Sequence, residues 1–172
     1  YVVSDDHAGM CKAIERYFRG CLWQRCQVHF MRNIISQVSK KDRAKVIEMV
    51  REIMTAQSYE SARKRMDEVI EALEKSHPKV ALLLEEHGEE VLTVYQLPPV
   101  HRRFMKSTNM LERYNQELKR RTRVVRIFPH QESCLRLVTA MAMETSEEWM
   151  VRRYLILEDE VSTTSPKEML AA

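Results

Sequence analysis

The sequence predicts a mixed α/β fold dominated by helix. Three observations carry that prediction. Glycine is scarce, three in 172 residues beside five prolines, while 31% of residues are charged and 44% hydrophobic, a composition of amphipathic helices with few tight turns and enough apolar mass for a core. The first 40 residues alternate short apolar runs with helically spaced ones, in the order strand, helix, strand, helix, which is how an α/β core begins. From Lys41 to about Tyr95 only the helical period is present, with no glycine before Gly88.

Taken in order, "YVVSD" reads as a buried strand ending in acid. Met10, Ala13, Ile14, Tyr17 and Phe18 then recur at helical spacing across residues 8–19, and Gly20 ends that helix. "CLWQRCQV" is a second strand candidate, leading into a helix from about His29 to Val38. Val46, Val50 and Ile53, then Ala62, Met66, Val69 and Leu73, mark two long helices, and Leu82–Leu84 marks a shorter one. Packing alone would account for these helices. "QLPPVHRRF" reads as a breaker returning the chain to the core, because two consecutive prolines cannot continue a helix. Asn109, with Glu112 three residues later, fits the N-cap of a helix whose apolar stripe is Leu111, Tyr114 and Leu118. A last helix, about Glu132–Leu157, is expected to be anchored by Leu135, Val138, Ala142 and Trp149. The expected organisation is a core segment at 1–40, a helical insertion at 41–95, a return to the core at 96–157 and a frayed tail at 158–172.

Composition also bounds function. No run of about 18 apolar residues exists to span a membrane, and four cysteines lack the density of a disulfide scaffold and fit a reducing cytosol. The chain opens at Tyr1, without an initiating Met and already inside an apolar run, which reads as a piece of a longer protein. The net charge of +3 conceals an asymmetry: residues 1–100 carry 15 basic and 15 acidic side chains, 101–126 carry 9 and 2, and 127–172 carry 4 and 8. A basic cluster on an otherwise balanced chain is the footprint of a polyanion site, with a solvated helix face as the plain alternative.

Two acids stand out. Side chains alternate along a strand, so Asp5 and Asp6 cannot both face one metal unless the strand ends between them; one is a candidate ligand and the other a helix cap or a solvent-facing group. An acid at the carboxyl end of a sheet strand sits where α/β folds place active sites, although such an acid also commonly caps the following helix. Glu112, Asn115, Lys119 and Arg123 fall on one polar helix face at steps of three or four. A carboxylate among amides and cations suits a metal site that also holds phosphate, while the capping role of Glu112 stays open beside it. Cys26 and His29 have the gap of half a zinc site, but no second close Cys/His pair supplies the other half. Cys26 therefore reads as a small core residue, with His29, Arg32 and Asn33 near the site at a helix start.

Four stretches, "SDDHAGMCKAI", "WQRCQVHFMRN", "STNMLERYNQELKRRTRVVRIFP" and "LRLVTAMAMETSEEWM", together resemble the catalytic region of Mutator-type bacterial insertion-sequence transposases, in order and in spacing. The resemblance implies an incomplete ribonuclease H-like core carrying an all-α insertion, and an Asp-Asp-Glu triad binding two Mg²⁺ (or Mn²⁺) ions. Asp5 matches the second aspartate of that triad and Glu112 its glutamate, whereas Asp6 falls at a variable position. Cys26 and His29 match a further signature, and Trp149 a recurrent tryptophan; His7, Arg32, Asn33 and Asn109 lie beside the matched positions as supporting candidates. Arg113, Asn115, Lys119, Arg120, Arg121 and Arg123 would contact DNA, the cations neutralising its phosphates. The implied activity is DNA strand cleavage and strand transfer, with transposon ends and target as partners, a homo-oligomer in the full-length protein, no membrane and a place at the bacterial nucleoid in the cytoplasm. The triad's first aspartate would sit on an earlier strand, so this chain alone is expected to be inactive. A non-catalytic DNA-binding remnant is the alternative.

Overall fold

The computed structural model describes residues 1–151; the expected frayed tail, and residues 152–157 of the last predicted helix, lie outside them. The chain is helix-dominated with one small sheet. Strand β1 (Val2–Ser4) pairs in parallel with β2 (Trp23–Arg25), with Val2 opposite Trp23, Val3 opposite Gln24 and Ser4 opposite Arg25. Helix α1 (Ala8–Tyr17) makes the crossover, and α2 (Gln27–Ser36) leaves β2 directly. Next come α3 (Arg43–Met54), α4 (Tyr59–Glu74), α5 (Pro78–His87) and two 3₁₀ turns, Glu89–Val91 and Thr93–Gln96. Helices α6 (Pro99–Met105), α7 (Asn109–Val125) and α8 (Gln131–Val151) complete the described chain.

The chain folds as two compact units, one from Tyr1 to Met110 and another from Leu111 onward. The first unit holds the core. Phe30, Ile34 and Val38 of the α2 segment meet Val46, Val50 and Ile53 of α3, Ala62, Met66, Val69 and Leu73 of α4, and Val80, Ala81 and Leu84 of α5. Apart from the adjacent Val80 and Ala81, each set recurs at three or four residues, the period that puts side chains on one helix face. Full burial of one such side chain contributes about 2 kcal/mol, so the helices supply the bulk of the burial that a two-stranded sheet cannot. Val91, Leu92, Val94 and Tyr95 extend the same cluster from the 3₁₀ turns.

Several expectations are corrected. The double proline does not only break structure: Pro98 stands at the cap and Pro99 opens α6, because a proline at the first helical position loses no hydrogen bond. Asn109 is the first residue of α7 rather than the residue ahead of it. The α1 pattern is helical as expected, but of its apolar residues only Ile14 is buried; Met10, Tyr17 and Phe18 are exposed. In the second unit no residue of α7 or α8 is buried. The Leu111 stripe and the Leu135, Val138, Ala142 and Trp149 anchors therefore do not build a core among the described residues; amphipathic spacing reports a face, and here the face is not enclosed.

Candidate functional site

The end of β1 is built by its neighbours. Ser4 is buried; its hydroxyl donates to the Asp5 carbonyl at 2.8 Å and accepts from the Trp23 indole N–H at 2.8 Å. On the other strand, Arg25 is almost wholly buried, and its guanidinium lies 2.8 Å from Asp6 Oδ2 and 2.8 Å from Glu90 Oε2. It also stacks over the Phe30 ring, 5.1 Å from the centroid. Glu90 in turn meets His87 Nδ1 at 3.1 Å. Asp6 is thus the solvent-facing acid of the two and not the cap of α1. It is one end of a charge chain that runs from the strand end to the 3₁₀ turn, and the cap position of α1 belongs to His7, which is exposed and makes no side-chain cap bond.

Asp5 differs. Its Oδ1 is buried without a hydrogen-bond partner. A carboxylate oxygen withdrawn from water and given no donor is costly unless a donor or cation arrives. That is the environment a hard cation takes up, since Mg²⁺ and Mn²⁺ prefer oxygen ligands. Among the described residues, no group of three or more His, Cys, Asp or Glu side chains is assembled to hold a metal. The Asp5 carboxylate fits such an ion, then, as one ligand.

Two glutamines that the sequence did not mark as functional fasten this strand end to the helical core. Gln24 is fully buried. Its amide nitrogen donates to the Arg25 carbonyl at 2.8 Å and the Val91 carbonyl at 2.9 Å, and its Oε1 accepts from Val94 N–H at 2.6 Å. Gln27 adds a second donor to the Val91 carbonyl at 3.0 Å. A polar residue mid-strand in an apolar run was the available signal, because a buried amide is retained only where its bonds are met.

Cys26 is buried at the cap of α2. Its N–H donates to the Ser4 carbonyl at 2.7 Å, which places it beside the strand end, and its Sγ accepts from both the N–H and the hydroxyl of Thr108 at 3.5 Å. Alongside, Gln27 N–H donates to the Lys106 carbonyl at 3.0 Å, and the Tyr1 hydroxyl to the Met105 carbonyl at 3.1 Å. Segment 105–108 is therefore held against the sheet by three tethers. The core-residue reading of Cys26 stands, with this tether added. His29 is half-buried on α2, while Arg32 and Asn33 on the same helix are exposed.

The basic helix is α7. Glu112 lies in its first turn and is half-buried. Arg113, Asn115, Lys119, Arg120, Arg121 and Arg123 are all exposed, and so is Asn109; Trp149, on α8, is half-buried. The cations are not equivalent. Glu117 takes Arg120 at 2.7 Å and Arg121 at 2.8 Å, and the two guanidiniums pull the pKa of its carboxyl down to about 2. Among the described residues, Lys119 and Arg123 have no carboxylate partner. A surface helix carrying uncommitted cations in register is an element suited to polyanions.

The described residues thus carry an acid at a strand end and an exposed basic helix. Comparison with known proteins is specific. The family model described as Transposase, Mutator family, matches residues 1–152, and the chain belongs to that family. It is 42% identical over 159 residues to the transposase for insertion sequence element ISRM5 of Rhizobium meliloti, covering 92% of this chain and 40% of that protein. It is 39% identical over 150 residues to the transposase for IS406 of Burkholderia multivorans, covering 87% and 39%. With the transposase for IS256 in transposon Tn4001 of Staphylococcus aureus it shares 36% over 158 residues, 90% and 40% of the two chains. The chain spans about two-fifths of the length of these curated relatives.

Proposed function

We propose that this chain is the carboxyl-terminal part of the catalytic region of an insertion-sequence transposase, acting in metal-dependent cleavage and transfer of DNA strands. The observation that carries the reading is Asp5, whose buried and unpartnered carboxylate oxygen sits at the carboxyl end of a sheet strand in a Mutator-family chain. In this reading the small parallel sheet belongs to a ribonuclease H-like core, and Asp5 and Glu112 are two carboxylates of an Asp-Asp-Glu set.

Two Mg²⁺ or Mn²⁺ ions, when bound, would activate a water or 3′-hydroxyl and neutralise charge on the phosphate under attack. The chain's own residues do the rest. Asp5 and Glu112 each offer oxygen ligands. Ser4 and Trp23 fix the backbone from which Asp5 projects, and the Asp6–Arg25–Glu90 chain keeps the neighbouring acid occupied elsewhere. Arg113, Asn115, Lys119 and Arg123 hold DNA through its phosphates, an interaction that weakens steeply with salt. The DNA bound would be transposon ends and target, by a homo-oligomer in the bacterial cytoplasm, at the nucleoid. No described helix is long and apolar enough to cross a membrane.

The experiment is Asp5→Asn and Glu112→Gln in the full-length protein. Each should abolish transposition while leaving folding and DNA binding nearly unchanged, and persisting activity would remove these residues from the site. Since the resemblance puts the first triad aspartate upstream of Tyr1, the 172-residue chain alone should bind DNA without cutting it. Mg²⁺-dependent nicking by the isolated chain would overturn that statement.

A further inference from the structure

Resting on the DNA-binding reading of α7, we propose that Arg126, just beyond the helix, completes a phosphate-binding notch with Lys119 and Arg123, and that this notch grips the DNA backbone beside the contacts of Arg113 and Asn115. The family resemblance takes the DNA contacts only as far as Arg123. Two independent features single out Arg126. An open hollow of about 680 Å³ is lined by Gln116, Lys119, Arg120, Arg123, Val124 and Arg126, so four cationic side chains surround one space along the carboxyl end of α7. Arg126 is also the one described non-glycine residue with positive φ, at 59°.

That left-handed conformation suits glycine or asparagine at a helix end and disfavours a long side chain. An arginine held there keeps its cation against the local preference of the backbone, and backbone outliers of this kind gather at ligand-binding positions. The charge is also available. Glu117 engages Arg120 and Arg121, whereas Lys119, Arg123 and Arg126 have no carboxylate partner among the described residues. Three uncommitted cations around one hollow complement a run of phosphodiesters, and guanidinium groups can bind each phosphate through paired donors.

The test is the salt dependence of duplex DNA binding by the full 172-residue chain, followed by fluorescence anisotropy from about 50 to 300 mM NaCl, where each phosphate contact contributes a slope of about 0.9 in log affinity against log salt. Arg126→Gly accepts the left-handed turn and removes only the cation, so the chain should stay folded while the slope falls by about one contact. Arg126→Lys should restore it. Arg123→Ala should lower the slope similarly, and Lys64→Ala on the exposed face of α4 should not. If Arg126→Gly keeps the wild-type slope while Arg123→Ala lowers it, the notch is wrong and the DNA reading of α7 stands. If the wild-type chain binds no DNA at any salt, both fall.

Discussion

Replacing Gln24 by leucine tests how the strand end is held. The side chain is fully buried, similar in volume to leucine, and bonded to three backbone groups: the Arg25 and Val91 carbonyls and the Val94 N–H. After the change the Val91 carbonyl keeps the Gln27 amide, but the buried Val94 N–H loses the acceptor it had in Gln24. One stranded donor costs about 1–3 kcal/mol, and each net hydrogen bond lost adds about 1 kcal/mol. Leucine returns part of this by burying apolar surface, so the expected loss is about 3 kcal/mol. Urea unfolding followed by circular dichroism would measure it as a lower midpoint at constant slope. A second variant, Gln24→Glu, sets a carboxyl oxygen against two carbonyls and should be worse above the pH at which that buried acid ionises. A loss for Gln24→Leu below about 1 kcal/mol would show that the glutamine does not fasten the sheet to the helices.

Two further outcomes are expected. Glu117 has its carboxyl pKa lowered from the ordinary value of 4.5 to about 2 by Arg120 and Arg121, so the support it gives α7 is fully present above pH 4.5 and is lost as pH falls through about 2. The group is exposed and the effect correspondingly small; helicity measured by circular dichroism between those values should decline in the wild type and not in Glu117→Gln, and superimposable curves would contradict the pairing. Cys26→Val removes the acceptor for Thr108 and should accelerate amide hydrogen exchange across residues 105–110, whereas Cys26→Ser, which keeps an acceptor, should stay near wild type.

The helical part of the chain was legible because its periodicity is strong: each of the Val46, Ala62 and Leu82–Leu84 series lies on an observed helix. The two strands were legible in place but overdrawn in length, since an apolar run such as "CLWQRCQV" does not say where pairing stops; β2 keeps only Trp23–Arg25. Strand alternation does not reach Asp5 and Asp6, because β1 ends at Ser4, before both. It could not reveal the guanidinium of Arg25, because that ion pair depends on a strand about 20 residues away. The roles of Gln24 and Cys26 were hidden for the same reason: their partners, Val91, Val94 and Thr108, become neighbours only after the helices fold back. In α7 the charges were legible and their pairing was not, as Glu117 reduces two of the six named DNA contacts to partners of its own.

The three tethers on segment 105–108 bear on the order of assembly. The bonds from Cys26 to Thr108 and from Tyr1 to Met105 join residues 82 and 104 positions apart. Closing loops of that length is entropically expensive, and the cost must be met before any long-range contact rewards it. A three-residue strand pair gives little in return. The strand end is therefore expected to form after the helical core and to reopen before it, which hydrogen exchange would read as lower protection there. Asp5 draws its fixed position from residues far along the chain, and a mutation deep among α3, α4 and α5 would loosen that carboxylate while leaving the residue itself untouched.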